Sequence, residues 1–438
     1  MLFLIVVFVS LHCILVYTAK NTVRPVLLIL LVCHFYYGLF GPLYWIYDQN
    51  AEFVGVYWGA AEIYQTAAVL SFSTLLVAGT IALLMRRVDS PAKFFSESTL
   101  AKYPLPLCWK VLAVIGFVSS LFVLYQGLSR GSADEDINNP LFLVAYQFSD
   151  ILIPVIVYSI AKRGYRSSNL ILIAYFFVFA SLVGLRYKLA LLILPLFIMS
   201  VLIDRSLTGW IKRAPMLLGA LAWLSLLTIF RSKFYTPDLS TVGAVQNEDL
   251  LYGLFAETNI LFGLKAIQKV YVDPGIYIAF QPITDAILDL IPRFLFPDRD
   301  TGDYLYDLLS GLRSEEGLYS ATAYPFVGEF LMMFGWLGLF VGCLLYGSLY
   351  RLLHYLATKF GGTYQIAIAG IGLAAAIIGY YQYSRGYMSQ ALKAYIFVFA
   401  PYIYVSMVDK KNAMLMLSPR QYFQPPRRLN SRNATRDG

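Results

Sequence analysis

The sequence predicts an all-α, polytopic membrane protein, and three observations predict it. Hydrophobic residues fill 59% of the 438 positions. Charged residues fill only 14%, against about 25% in a soluble domain. Apolar runs of roughly 17 to 25 residues recur along the chain, each long enough to cross a hydrocarbon core of about 30 Å.

These runs predict about eleven spans, at 2–18, 25–46, 64–85, 109–127, 141–161, 168–185, 188–203, 215–230, 325–350, 364–382 and 391–408. The first run lacks a positive n-region and is followed by Lys20 and Arg24, so it reads as a retained span rather than a cleaved signal. Cations then fall on alternate loops: Lys20 and Arg24, Arg86 to Lys110, Lys162 to Arg166, Arg205 to Arg213, Arg351 and Lys359, and the tail from Lys410. The positive-inside rule makes these loops cytoplasmic and puts the N-terminus outside. The predicted organisation is spans one to eight in 1–230, a large outward loop with surface or re-entrant helices in 231–324, spans nine to eleven in 325–408, and a disordered basic tail in 409–438.

The net charge of +8 is explained by that tail, whose cations fix topology and touch anionic headgroups. No folded basic domain accompanies it, which argues against nucleic acid. Cys13, Cys33 and Cys343 lie in spans and Cys108 at a cytoplasmic edge, with no spacing that predicts a disulfide or a zinc site. His12, His34 and His354 lie outside the large loop and read as packing or interfacial residues. Asp298 to Asp303 is rich in oxygen ligands but lacks the downstream glutamate of a calcium loop. No metal or cofactor is implied.

Chemistry is predicted where cations break the rule for outward loops. Arg186 and Lys188 occupy a tight outward turn, Arg231 and Lys233 follow the eighth span, Arg293 lies in the loop, and Arg385 caps the last outward turn. Such cations either snorkel to headgroups and pair with carboxylates, or hold a phosphate or pyrophosphate. Within the loop, 251–270 reads as a helix lying on the membrane or re-entering it, with Lys265 and Lys269 four apart on one face. A second short helix, 283–291, sets Asp285 and Asp289 on its polar face, as a solvated face, as partners for Arg293 or as an acid/base pair.

Two carboxylates lie inside spans, where a charge is costly unless paired or functional. Asp150 sits in the fifth span, and the sequence leaves open whether it pairs with another helix or acts in function. Glu329 lies about one turn inside the ninth span, beside the loop's cations. Gly328, Gly335, Gly338 and Gly342 on the same helix let a neighbouring helix approach closely.

Three stretches carry a resemblance. Gly184-Leu-Arg-Tyr-Lys188 opens a span after an outward turn, and Phe230-Arg-Ser232 closes the span before the large loop. Ile291-Pro-Arg-Phe-Leu-Phe-Pro297 is followed by Pro325-Phe-Val-Gly-Glu329 and a glycine-rich apolar helix. In these motifs and in its span pattern the chain resembles the Wzy-type O-antigen and exopolysaccharide repeat-unit polymerases.

The resemblance implies a bacterial inner-membrane glycosyltransferase of the GT-C type, metal-independent and acting on the periplasmic side. It would transfer a growing glycan from one undecaprenyl pyrophosphate to the next lipid-linked repeat, alongside a chain-length regulator and a flippase. Related ligases use a histidine in the large loop, which this chain lacks. In this scheme Arg186, Lys188, Arg231, Arg293 and Arg385 stabilise the leaving pyrophosphate, assisted by Lys233 and Lys265. Glu329, and after it Asp285, orients or deprotonates the acceptor hydroxyl. Tyr319, Tyr324 and Tyr381 line the sugar path. The alternatives are a ligase-like glycosyltransferase, a transporter of lipid-linked saccharide with repeated, interrupted helices, and a subunit that only organises other synthases.

Overall fold

Helix accounts for nearly all of what the computed structural model describes. Those residues are 2–19, 23–47, 52–53, 56–85, 107–129, 140–182, 186–203, 260–288 and 324–360, with 215, 219, 222–223, 255, 258, 377 and 379–381. All lie in one unit, Met1–Val398, while the second unit, Phe399–Gly438, is outside the described residues. The expected spans at 215–230, 364–382 and 391–408 fall almost wholly outside them as well. Among the described residues, four helical stretches are long and apolar enough, by length and composition, to cross a membrane: Val26–Tyr47, Ala60–Met85, Trp109–Gln126 and Phe326–Leu352. Four shorter apolar helices accompany them.

The first layer begins with a helical hairpin. Helix α1 (Leu2–Thr18) is apolar on all sides, burying Ile5, Val9 and His12 and leaving Phe3, Val6, Leu11 and Ile14 exposed. Such a helix is stable only against lipid or a protein core. Helix α2 (Arg24–His34) begins with Pro25 in its first turn. Its Arg24 guanidinium reaches back to the carbonyls of Val16, Tyr17 and Ala19 at 3.0 to 3.2 Å. That is a cation on the orphan carbonyls of a helix C-terminus, where the dipole also favours it.

A π-helical turn, Phe35–Phe40, joins α2 to α3 (Gly41–Tyr47). Pro42 has no N–H to return to the preceding turn, and the Gly41 N–H reaches five residues back to Tyr36. Gly38 and Gly41 lack the Cβ that would collide with the His34 ring and the Thr258 side chain. A minimal hairpin follows, β1 (Glu52–Phe53) paired antiparallel with β2 (Val56–Tyr57).

Helix α4 (Ala60–Met85) is the centre of this layer, packed against α1 on one side and against the glycine-rich helix described below on the other. Its serines and threonines (Ser71, Ser73, Thr74, Thr80) bond the carbonyl one turn back, so polar side chains sit in an apolar environment without orphaned hydroxyls.

The second layer comprises α5 (Leu107–Ser129), α6 (Pro140–Ser149), α7 (Leu152–Arg163), α8 (Ser167–Leu182) and α9 (Arg186–Ile203). Trp109 stacks on Tyr158 at 4.1 Å, and the Ser120 and Tyr175 hydroxyls meet at 2.6 Å. The expected fifth span, 141–161, is not one helix. It breaks into α6 and α7 at Asp150 and Ile151. The cause is Pro154, whose ring and missing N–H disrupt the bond to the carbonyl four residues back. The Asp150 carbonyl accepts instead from the Ile153 N–H at 3.1 Å, a tighter three-residue bond.

Three further helices follow. Helix α10 (Ile260–Ile267) runs into a π-helical turn, Gln268–Val272, and α11 (Gln281–Leu288) comes next. Every residue of α10 is buried, so it is an interior helix and not one lying on the membrane surface. Helix α12 spans Phe326–Phe360 but is not straight: Phe334 and Gly335 leave helical geometry, Gly335 at φ +61°. Only glycine adopts that conformation freely.

The two parts of α12 pack on each other as a hairpin. Phe326 meets Tyr346 at 4.3 Å between ring centroids, and Phe330 covers Gly338 and Gly342. The arm 326–333 therefore runs back along 336–360. In lipid, apolar burial adds little driving force, and close packing at small residues decides which helices associate. A Cβ on Gly338 would meet the Phe330 carbonyl, so the glycine step serves this intrachain contact. At the far end, the Arg351 guanidinium donates to the Leu84 carbonyl and ties 336–360 to the C-terminus of α4.

Candidate functional site

Glu329 lies in the first turn of α12, as expected, on the arm that folds back at Phe334 and Gly335. Its neighbour Gly328 has no Cβ because Ile267 and Leu264 of α10 and Tyr324 occupy that space, with Ile267 Cδ1 2.7 Å from where a Cβ would be. The carboxylate is 3% exposed and lies within electrostatic reach of the Tyr346 phenol. A carboxylate enclosed among apolar helices is costly unless it is paired or faces a polar cavity.

Around this arm the structure gathers tyrosines. Tyr346, Tyr350, Tyr380 and Tyr381 are all buried. Tyr346 and Tyr380 lie 5.4 Å apart, Tyr380 and Tyr381 meet edge to face at 4.9 Å, and Tyr381 stacks on Tyr37 at 4.6 Å. The Thr74 and Tyr380 hydroxyls are 3.1 Å apart, and Tyr381 donates to the Leu30 carbonyl at 3.3 Å. Chemically, the set offers one carboxylate able to take a proton and several phenols able to orient a hydroxylated ligand.

The expected site residues are distributed as follows. Tyr324 is 1% exposed and packs beside Gly328, so it joins Glu329. Asp285 is 3% exposed, on a helix that packs against α12. It is thus a buried carboxylate, which removes the solvated face from the readings the sequence left open for it. Lys265 is buried on α10, where its ammonium donates to Gln65 Oε1 at 3.0 Å. Arg231, Lys233, Arg293, Arg385 and Tyr319 lie outside the described residues, and of Arg186 only the backbone is described, at the start of α9.

Lys188 is the clearest correction. It was expected to be an outward cation available to pyrophosphate, but it has no exposed surface. Its ammonium lies 2.8 Å from Asp150 Oδ1 and donates to Ser149 Oγ at 2.7 Å and to the Tyr146 carbonyl at 3.2 Å. The ammonium thus pairs its charge with Asp150 while donating hydrogen bonds to Ser149 and Tyr146. The Tyr146 ring completes the enclosure, 3.9 Å from the nitrogen to its centroid. Asp150 is thereby a helix-pairing residue, one of the two roles the sequence left open.

Sequence reasoning missed the first turn of α4. Glu62 pairs with Lys269 at 2.9 Å and also accepts the Gly59 N–H at 3.2 Å. Lys269 lies over the Trp58 ring, 4.6 Å from its centroid. The available signal was a match of spacings, Glu62 and Gln65 three apart opposite Lys265 and Lys269 four apart. His12 and His34 hold structure, contacting the Leu27 carbonyl at 3.2 Å and Ser71 Oγ at 3.0 Å. Among the described residues, no three of His, Cys, Asp or Glu come together as a metal set. No family model, curated protein or solved structure matches the chain.

Proposed function

We propose that the protein polymerises lipid-linked oligosaccharide repeat units on the outward face of a bacterial inner membrane, as an eleven-span glycosyltransferase of the GT-C type. Donor and acceptor are undecaprenyl-pyrophosphate-linked glycans. A chain-length regulator and a flippase are its partners. The observation that carries this reading is Glu329, buried at 3% exposure on an arm folded back into an apolar bundle, next to Tyr324 and within electrostatic reach of Tyr346. An acceptor sugar hydroxyl needs a carboxylate to orient or deprotonate it. Phenols suit the sugar, and the surrounding apolar helices suit its lipid. The outward cations Arg186, Arg231, Arg293 and Arg385 supply charge for the leaving pyrophosphate, with Lys188 now removed from that set.

The test is incubation of the purified protein with a lipid-linked repeat unit, followed by sizing of the products. A ladder of repeat lengths is expected. A product formed only when lipid A core is supplied would make it a ligase, and unchanged substrate would make it a carrier. One observation favours the carrier as the second reading: helices are interrupted at Asp150 and at Phe334–Gly335, as transporters interrupt theirs near a binding site.

A further inference from the structure

The geometry points to a binding site for the phosphate ester of a membrane lipid, built from Lys265, Gln268 and Lys269 against Trp58 and the first turn of α4. It lies on the helix whose Leu264 and Ile267 meet Gly328, and it does not rest on the polymerase reading. Lys265, Gln268 and Lys269 are three and four apart, so they share one face of the helix. That face meets Glu62 and Gln65 of α4.

A count of donors and acceptors shows what is missing. Both Glu62 oxygens are used, by Lys269 and by the Gly59 N–H, and the Gln65 carbonyl is used by Lys265. Two buried donors remain with no acceptor among the described residues: the indole N–H of Trp58, 2% exposed, and the side-chain amide of Gln268, 3% exposed. Buried polar groups in native proteins are paired with protein or with something bound. The cluster has two ammonium groups against one carboxylate, hence one net positive charge. Its complement is a singly charged group rich in acceptors and free of donors, which describes a phosphate diester or one phosphate of a diphosphate.

Position agrees with charge. The cluster lies at the first turn of a membrane-length helix, where headgroup phosphates lie. Its mouth is open: the side chains of Lys269 and Glu62 are 42% and 31% exposed. Just beyond it, Ile276, Tyr277 and Phe280 are exposed, as apolar and aromatic residues are at a membrane interface. Lys269 is held over Trp58, so its charge is fixed before any ligand arrives.

The experiment titrates phosphatidylglycerol and, separately, undecaprenyl diphosphate into the detergent-purified full chain, with bound lipid counted by native mass spectrometry. Wild-type protein is expected to bind at least one of them, and Lys265→Gln with Lys269→Gln together to weaken that binding tenfold or more. Loss confined to undecaprenyl diphosphate assigns the site to a lipid-linked saccharide carrier. Loss for phosphatidylglycerol as well assigns it to ordinary headgroups. Gln268→Glu keeps the size of the side chain, leaves both lysines partners, and replaces a donor with an anion. It is expected to weaken binding equally, and it decides the matter if the double variant does not fold. Wild-type protein that binds neither lipid, or Gln268→Glu that binds both as tightly as wild type, overturns the proposal.

Discussion

Replacing Glu329 by glutamine is expected to remove long-chain glycan from cells while the protein accumulates at its normal level. The two side chains have the same shape, and the change takes a charge out of a position that is 3% exposed. The near-identical shape should let the protein accumulate. Activity should not hold: removing a positioned acid or base costs about 10²–10⁴-fold in rate. The measurement is a glycan ladder by gel with protein level by immunoblot in the same cells. Normal ladders would take Glu329 out of the mechanism, and loss of the protein itself would make it a structural residue.

The second large effect concerns stability. Lys188→Met is expected to destabilise the protein by about 3–5 kcal/mol, because it leaves Asp150 enclosed without its partner. Asp150→Asn strands the ammonium, with a loss in the same direction. The double variant is expected to recover much of this, since it encloses no charge, and pairs in contact couple by about 0.5–3 kcal/mol. Melting of all four proteins in the same detergent closes the cycle. If the losses simply add, Lys188 and Asp150 do not interact, and the break between α6 and α7 is held by Pro154 alone.

How far these features were legible in the sequence can be argued from the same residues. Helical membrane-spanning character was legible because apolar length alone decides it, as in Ala60–Met85. The α6–α7 break was legible in part: Pro154 marks Asp150 four residues earlier, but hydropathy runs on unbroken through both. The α12 hairpin was hidden for the same reason. Phe334-Gly-Trp336 is as apolar as its surroundings, and hydropathy does not register a backbone turn. What does register it is Gly335 at a positive φ and the Gly338 and Gly342 surface that receives Phe330.

Charge was the least legible property, because a cation's role depends on partners distant in sequence. Lys188 read as an outward ligand group, yet its partners lie about forty residues earlier, at Tyr146, Ser149 and Asp150. Lys265 read as part of a surface or re-entrant helix, yet it bonds Gln65, 200 residues away. The tyrosine cluster brings Tyr37 to Tyr381 across nearly the whole chain. Nothing local marks either residue.

The functional reading depends on the arm 326–333 lying back along 336–360, since that is what carries Glu329 inside. Cysteines at 326 and 346, in a protein with its four native cysteines replaced, test this directly. The two ring centroids are 4.3 Å apart, so in the folded hairpin a short bifunctional thiol reagent is expected to join the two cysteines in membranes. A straight helix rising about 1.5 Å per residue would hold the two positions about 30 Å apart. Cysteines that such a reagent fails to join would contradict the hairpin and the placement of Glu329 with it.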